Sequence, residues 1–304
     1  MTERADRTDD SPGLPAFLLG RNCRLDLTRP RIMGVLNVTP DSFSDGGRYL
    51  DADSIRERIE SMVDEGVDLI DIGGESSRPG ALPVSIDEEL ARVVPAVEAA
   101  VRLADVPVSI DTTKADVARA AVEAGAAFVN DISGLHFDPD MAAVVAGLGA
   151  GLFVMHTRGR PDSMQSDTTY RDIMTEISAY LDESLTLADN AGVPITHIAV
   201  DPGIGFGKSV EGNLEILRRL RELRSLGRPI LLGTSRKSFI GKVLHQDDPA
   251  RRLAGSLASI AMGVAAGARI FRVHDVGPSR EAATVAWAIS SQGSTENRES
   301  FNHG

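Results

Sequence analysis

The run HIAVDPGIGFGK, residues 197–208, joins a short apolar segment to a glycine-rich loop, with the carboxylate of Asp201 at the junction. An apolar run of this length, bounded by turn residues, reads as a strand buried on both faces. The same grammar returns along the chain. IMGVLN (32–37), DLIDIGG (68–74), VPVSID (106–111), AFVND (127–131), LFVMH (152–156), PILLGT (229–234) and RIFRVHD (269–275) complete a set of eight. Helical patterns fill the intervals. Ile55, Ile59, Met62 and Val63 fall on one helix face, and Leu214, Leu217, Leu220 and Leu223 stripe another. Asp53 or Ser54 suits the start of the first helix and Gly66 its end. Eight strand–helix repeats predict parallel strands with helical crossovers, and so an α/β fold, a single (β/α)8 TIM barrel. An open doubly wound sheet would normally divide into two domains before reaching eight units. FLLGRNCRLDL (17–27) predicts a β-hairpin closing the bottom of the barrel, with the barrel domain over 15–291 and polar, disordered tails at 1–14 and 292–304.

The composition narrows the function classes. The chain has 304 residues, 42% of them hydrophobic, which suits one large barrel with tails. Its net charge of −12 comes without a lysine- or arginine-rich block, which argues against a nucleic-acid surface. A few cations converging on one pocket would still attract an anionic small molecule. The single cysteine, Cys23, excludes an internal disulfide framework and fits a reducing compartment. The charged N-terminal stretch has no apolar core of a signal peptide, and no apolar run approaches a membrane span. These features predict a soluble, cytoplasmic protein without nucleic-acid or membrane partners.

Barrel active sites lie at the C-terminal ends of the strands. Here those ends supply Asn37, Glu75, Asp111, Asn130 with Asp131, His156, Asp201, Ser235 with Lys237, and Arg272 with His274. One such residue is explained by a helix cap; the whole set is better explained by a ligand. Asp111, Asn130 and Asp201 offer carboxylate and amide groups suited to a flat ring bearing several N–H donors. A buried carboxylate is costly alone, so Asp201 should face a cation or a ligand's donor pair. Asn37, Arg272 and His274, on the first and last strands, are placed to hold an anion, with Mg²⁺ able to join through oxygen ligands. The GIGFGKS loop is not a phosphate-binding P-loop, because Pro202 stands where glycine is needed. Lys208 likewise breaks a dinucleotide fingerprint. Its glycines allow close backbone approach to a flat ligand with Phe206 as a wall; a tight turn with a packed phenylalanine would account for it too. His156 reads as a core histidine. The remaining histidines show no metal-ligand spacing.

VLNVTPDSFSDGG (35–47), IGGESSRPG (72–80), SIDT (109–112), NDISG (130–134), DPGIGFGK (201–208), GTSRKS (233–238) and RVHD (272–275) together resemble the dihydropteroate synthase family of folate biosynthesis. The resemblance runs in order from about residue 30 to 275. It implies a transferase, usually a homodimer, that joins 6-hydroxymethyl-7,8-dihydropterin diphosphate to 4-aminobenzoate with loss of pyrophosphate, and that is a target of sulfonamides. It places Asp111, Asn130, Ile132, Met155, Asp201, Phe206 and Lys237 around the pterin. Asn37, Arg272 and His274 fall on the diphosphate, with Mg²⁺ near Asn37. Phe43, Ser77, Arg78, Pro79, Ser235 and Arg236 fall on 4-aminobenzoate. Many members have threonine at the position of Ser77, which keeps the hydroxyl. No catalytic nucleophile is implied, since the diphosphate is itself the leaving group. A methyltetrahydrofolate–corrinoid methyltransferase would share the pterin cradle but has no use for the SSRPG and SRKS loops. A non-catalytic pterin-binding paralogue should have lost some of these residues, and none is lost.

Overall fold

The computed structural model describes residues 15–39, 52–78 and 80–291. The predicted tails, and the positions of Phe43 and Pro79, lie outside the described residues. Strands β1 (Phe17–Gly20) and β2 (Cys23–Asp26) form the expected antiparallel hairpin. The eight barrel strands are β3 (Arg31–Asn37), β4 (Leu69–Gly73), β5 (Val108–Asp111), β6 (Phe128–Asp131), β7 (Gly151–Met155), β8 (Ile198–Asp201), β9 (Leu231–Leu232) and β10 (Ile270–Val273). They pair in parallel in the order β8-β7-β6-β5-β4-β3-β10-β9. A parallel bridge from Val200 to Ile230, beside β9, brings the two edges together and closes the barrel. The predicted strands hold, shortened at their ends: His156 and Gly74 fall just beyond β7 and β4.

The helices between strands obey the periodicity that announced them. In α1 (Ala52–Asp64), Ile55, Ile59 and Met62 are buried, while Val63 at the edge of the stripe is half exposed. Gly66 follows with φ +80°, a turn that glycine adopts without steric cost. The leucine stripe divides: α6 (Val210–Arg219) passes into a 3₁₀ turn at 220–226, and Leu220 and Leu223 are the buried members.

Alternation along the strands positions the site. Successive strand residues point to opposite faces of a sheet. Met33, Leu69, Phe128, Phe153, Ala199, Leu231 and Ile270 point inward and pack with Leu18, Leu25 and Leu27 of the hairpin. Their neighbours, such as Ile70, Val129 and Val200, face the helices in the second core. The hairpin plugs the lower end tightly. A Cβ at Gly151 would lie 2.2 Å from the Phe128 ring and 2.7 Å from Leu19 O, so β7 begins with a residue that has none. One inward step above this apolar layer, two residues further along each strand, stand Asp71, Asn130, Met155, Asp201, Gly233 and Arg272. Asp111 joins them on β5, above Ser109. The polar layer is thus the next pleat of the same inward face.

Candidate active site

Arg272 organises one half of this layer. Its Nε donates to Asp71 Oδ2 and its Nη2 to Asp111 Oδ2, each at 2.6 Å. Asn130 Nδ2 donates to the same Asp71 oxygen at 3.1 Å, leaving the amide oxygen as its acceptor for a ligand. Asp71 has no exposed side-chain surface, and its Oδ1 has no hydrogen-bond partner among the described residues. The two carboxylates hold Arg272 firmly protonated. Asp111 is pushed up to about 7, by burial first and then, against Arg272, by the carboxylates of Asp71, Glu89 and Asp131. Gly73, paired in register with Asn37 and Asp111, keeps backbone bare between them: a Cβ there would stand 3.7 Å from Asn37 Oδ1 and 3.5 Å from Asp111 Cβ. The residues expected at the pterin and at the diphosphate therefore meet at Arg272.

The other half is built on the glycine loop. Asp201 is buried, and its Oδ1 accepts from Gly203 N at 2.6 Å. Gly203, Gly205 and Gly207 all take left-handed backbone, and a Cβ at Gly203 would lie 1.9 Å from His156 O. That contact explains the glycine without any ligand. The looped backbone is held from below by Lys208, whose Nζ donates to Phe206 O at 2.8 Å and to His156 O at 3.4 Å, and pairs with His156 Nδ1 at 2.9 Å. Burial, and the charge on Lys208, push His156 down to about 2, so the imidazole is the neutral acceptor. His156 is a core histidine as expected, though it carries a specific burden. From the side, Gln165 Nε2 donates to Gly205 O at 2.7 Å and the Tyr170 hydroxyl to Gly207 O at 2.9 Å. Lys237 Nζ stands 4.7 Å from the centre of the Phe206 ring and donates to Ile204 O. Phe206 is thereby presented as a wall with a cation beside it.

Toward the rim, Ser235 Oγ accepts from His274 N at 3.2 Å and pairs with His274 Nδ1 at 3.1 Å, turning Nε2 to any incoming acceptor. Burial, then the charges of Arg272 and Arg236, push His274 down to about 4. Below that neutral ring, Arg58 Nη2 donates to His274 O at 2.6 Å. Arg236 has a left-handed backbone, φ +59°, and grips Asp275 with Nε at 2.9 Å and Nη2 at 2.5 Å. Its guanidinium is committed to that carboxylate, which makes it a brace for the SRKS loop. Ser77 and Ile132 line one small cavity together with Asp111 and Pro161, so residues expected on the pterin and on 4-aminobenzoate stand around one space. Arg78 is exposed, and its carbonyl accepts from Ala81 N at 3.0 Å.

Several functional partners escaped the sequence reading. Asp71 carries the signal of inward parity, two residues beyond Leu69, but a run reading DLIDIGG hides which of its polar residues points in. Lys114, bonded to both Glu75 and Glu89, and Arg92, whose Nη1 reaches Gly74 O at 2.8 Å, pin the root of the ESSRPG loop from helices that only the fold brings near.

Residues 33–274 match the model of the family described as pterin binding enzyme. The chain is 48% identical to the dihydropteroate synthase of Synechocystis over 261 residues, covering 86% of this chain and 90% of that protein. It belongs to the pterin binding enzymes, among the dihydropteroate synthases. Two solved structures frame this family likeness. Thermus thermophilus dihydropteroate synthase in complex with 4-aminobenzoate superposes with TM-score 0.80 at 44% identity, covering 90% of this chain and 99% of that one. The Yersinia pestis dihydropteroate synthase with a sulfonamide drug gives TM-score 0.86 at 42% identity, with the same coverages.

In this pterin-binding barrel, Lys237 makes a pH prediction. Burial pushes it down to about 8, against the attraction of Asp201. Ligand binding that uses its charge should weaken as pH rises through about 8, and Lys237→Met should remove that alkaline limb. Folding responds in the opposite sense. Between about 8 and the ordinary lysine value the unfolded chain holds the extra proton, so stability rises with pH across that window. Binding titrations and urea melts at pH 7 and 9 check both signs; a binding profile equally steep in Lys237→Met would remove Lys237 from the site.

Proposed function

We propose that this site condenses 6-hydroxymethyl-7,8-dihydropterin diphosphate with 4-aminobenzoate, giving 7,8-dihydropteroate and pyrophosphate. The observation that carries the reading is the single inward layer that gathers Asp111, Asn130, Asp201 and Arg272 above the barrel core, with Lys237 and Phe206 beside it. Asp201 and the Asn130 oxygen accept from the pterin's amino and ring N–H groups, while Met155, Ile132 and Phe206 bound the ring. The arylamine nitrogen attacks the methylene carbon, the bond from that carbon to the diphosphate oxygen breaks, and the surplus proton on nitrogen passes to solvent. Arg272 and the Nε2–H of His274 stabilise the charge developing on the leaving diphosphate, a preorganised electrostatic contribution that commonly dominates catalysis. Ser77, Arg78, Ser235 and Arg236 form the aminobenzoate side, which sulfonamides would occupy.

Among the described residues no group of three or more His, Cys, Asp or Glu side chains is arranged to hold a metal. Asn37 Oδ1 is the hard oxygen donor at the proposed diphosphate, and Mg²⁺ commonly binds through few protein oxygens plus substrate phosphates. The site therefore fits a magnesium ion held by Asn37 and the substrate, which when bound supplies positive charge beside the leaving group. Among the described residues no helix is long and apolar enough to cross a membrane. A cytoplasmic homodimer suits the remaining surface: Met262 on α8 (Leu253–Ala266) and Val285 and Ile289 on α9 (Val276–Ser291) are 60%, 60% and 71% exposed on packed neighbouring helices.

The direct test mixes the dihydropterin diphosphate, labelled 4-aminobenzoate and Mg²⁺ with the protein and looks for labelled dihydropteroate. Absence of turnover with intact pterin binding would reduce the protein to a pterin binder. Binding order supplies a further prediction. Ser77 and Arg78 stand on a loop pinned at its root and exposed at its tip, so aminobenzoate should bind weakly alone and more tightly with pterin and Mg²⁺-pyrophosphate present. Linkage requires aminobenzoate to tighten pyrophosphate by the same factor. Calorimetric titration in both orders decides; equal affinities would mean a preformed aminobenzoate site.

A further inference from the structure

Lys208 makes none of the substrate contacts proposed above, yet it is only 4% exposed and fully engaged. Its Nζ faces three acceptors: the Phe206 carbonyl at 2.8 Å, His156 Nδ1 at 2.9 Å and the His156 carbonyl at 3.4 Å. Three acceptors match the three hydrogens of an ammonium, and the two nearer ones still serve an uncharged amine. Burial first, then the charge of Lys237, push the Lys208 pKa well down, so the amine holds this place against its own desolvation. An apolar side chain would fill the volume without that cost, but would leave buried acceptors without a donor. The contacts themselves are what the lysine supplies.

Those contacts join the two segments that bound the proposed pterin ring. His156 follows Met155 at the end of β7, and Phe206 stands in the glycine loop beyond β8. His156 N donates to Asp201 O at 3.0 Å, and the His156 carbonyl packs closely on Gly203, where a Cβ would lie 1.9 Å from it. Gly203 N in turn holds Asp201 Oδ1 at 2.6 Å. A shift of His156 therefore reaches Met155, Asp201 and Phe206 together. The imidazole has a fixed seat. The Tyr180 ring meets it edge-on at 4.9 Å, and the Tyr180 hydroxyl is anchored on Ser133 O at 2.5 Å. Asn213 holds the loop separately, its Oδ1 accepting from Gly205 N at 2.7 Å. Lys208 ties the Phe206 end of the loop to the strand.

We propose that Lys208 is a positioning residue for pterin: by clamping the Phe206 carbonyl to His156, it sets the gap between Met155 and Phe206 that the ring enters. The assignment rests on the reading of this layer as a pterin site. A slot held at the right width spares the ligand the cost of ordering it. The tests are calorimetric titration of the full chain with 6-hydroxymethylpterin and steady-state turnover. Lys208→Met should weaken pterin roughly tenfold, the scale of one lost hydrogen bond. It should raise KM for the pterin diphosphate and leave KM for 4-aminobenzoate, at saturating pterin diphosphate, unmoved. Damage to the fold would instead lower kcat through the fraction of active protein and leave both KM values alone. In the Phe206→Ala chain, which has no wall to position, Lys208→Met should have a smaller further effect on affinity. If Lys208→Met fails to fold, His156 decides. His156→Asn sets an acceptor where Nδ1 stands and should bind pterin nearly normally, whereas His156→Leu has none and should bind it weakly. Normal pterin binding by folded Lys208→Met, full additivity with Phe206→Ala, or equal affinities in the two His156 variants would overturn the proposal. Absence of pterin binding by the unaltered chain would overturn the reading of the site, and this assignment with it.

Discussion

Replacing Arg272 with methionine is expected to destabilise the fold by about 3–5 kcal/mol, the cost of leaving buried charges without their partner. Arg272 is the common cation of Asp71 and Asp111, each 2.6 Å away, and Asp71 has no water to turn to. Adding Asp71→Asn to the same chain removes one stranded charge and should recover part of the loss. Urea unfolding of the two single variants and the double variant gives the coupling directly. The effect on ligands follows from the same contacts. From sequence, loss of Arg272 should weaken the diphosphate substrate far more than the plain hydroxymethyl pterin. Because Arg272 also holds Asp111 and, through Asp71, Asn130, the structure predicts that both ligands weaken, the diphosphate more. Unchanged stability in Arg272→Met would mean that Asp71 and Asp111 find other compensation, and the network would lose its organising member.

The barrel was legible because its period is simple. Apolar runs of strand length alternating with helical stripes admit few architectures, and each run ended near where the strand ends. The polar layer was legible where it coincides with a strand's last residue, as at Asp111 and Asp201. Asp71 was not, because it lies two residues earlier, inside an apolar run, and only closure of the barrel fixes its direction. Lys208 is visible in sequence only as the residue that breaks a dinucleotide fingerprint, because nothing local tells a buried amine, whose pKa burial pushes well down, from a solvated one. Its meaning depends on His156, 52 residues away in sequence. Arg236 shows the converse. Its motif suggested a ligand contact, and the fold spends much of its guanidinium on Asp275. Residues that act through a partner distant in sequence are the class that pattern reading misses.

Asp201→Asn keeps the shape of the side chain and should still lower pterin affinity roughly 10- to 100-fold, since hydrogen bonds to charged groups contribute about 1.5–3 kcal/mol. The geometry says how. Gly203 N donates to Asp201 Oδ1 at 2.6 Å, and an amide in that place must keep its oxygen there. Its NH₂ group then occupies the position of the free carboxylate oxygen and meets the pterin's own donors, so an acceptor becomes a competing donor. A second signature distinguishes this from general damage. Asp201 raises the pKa of Lys237, which burial alone would push lower than about 8. Without that carboxylate the lysine should lose its proton at lower pH, and the alkaline fall in pterin binding should move to lower pH with it. Calorimetry of pterin binding across pH 6 to 9, with the fold verified by circular dichroism, measures both effects. Unchanged affinity would remove Asp201 from the pterin cradle. Weakened affinity with the alkaline limb unmoved would keep the contact but break the coupling to Lys237, leaving burial and the charges of Arg272 and Asp111 to set that lysine's protonation.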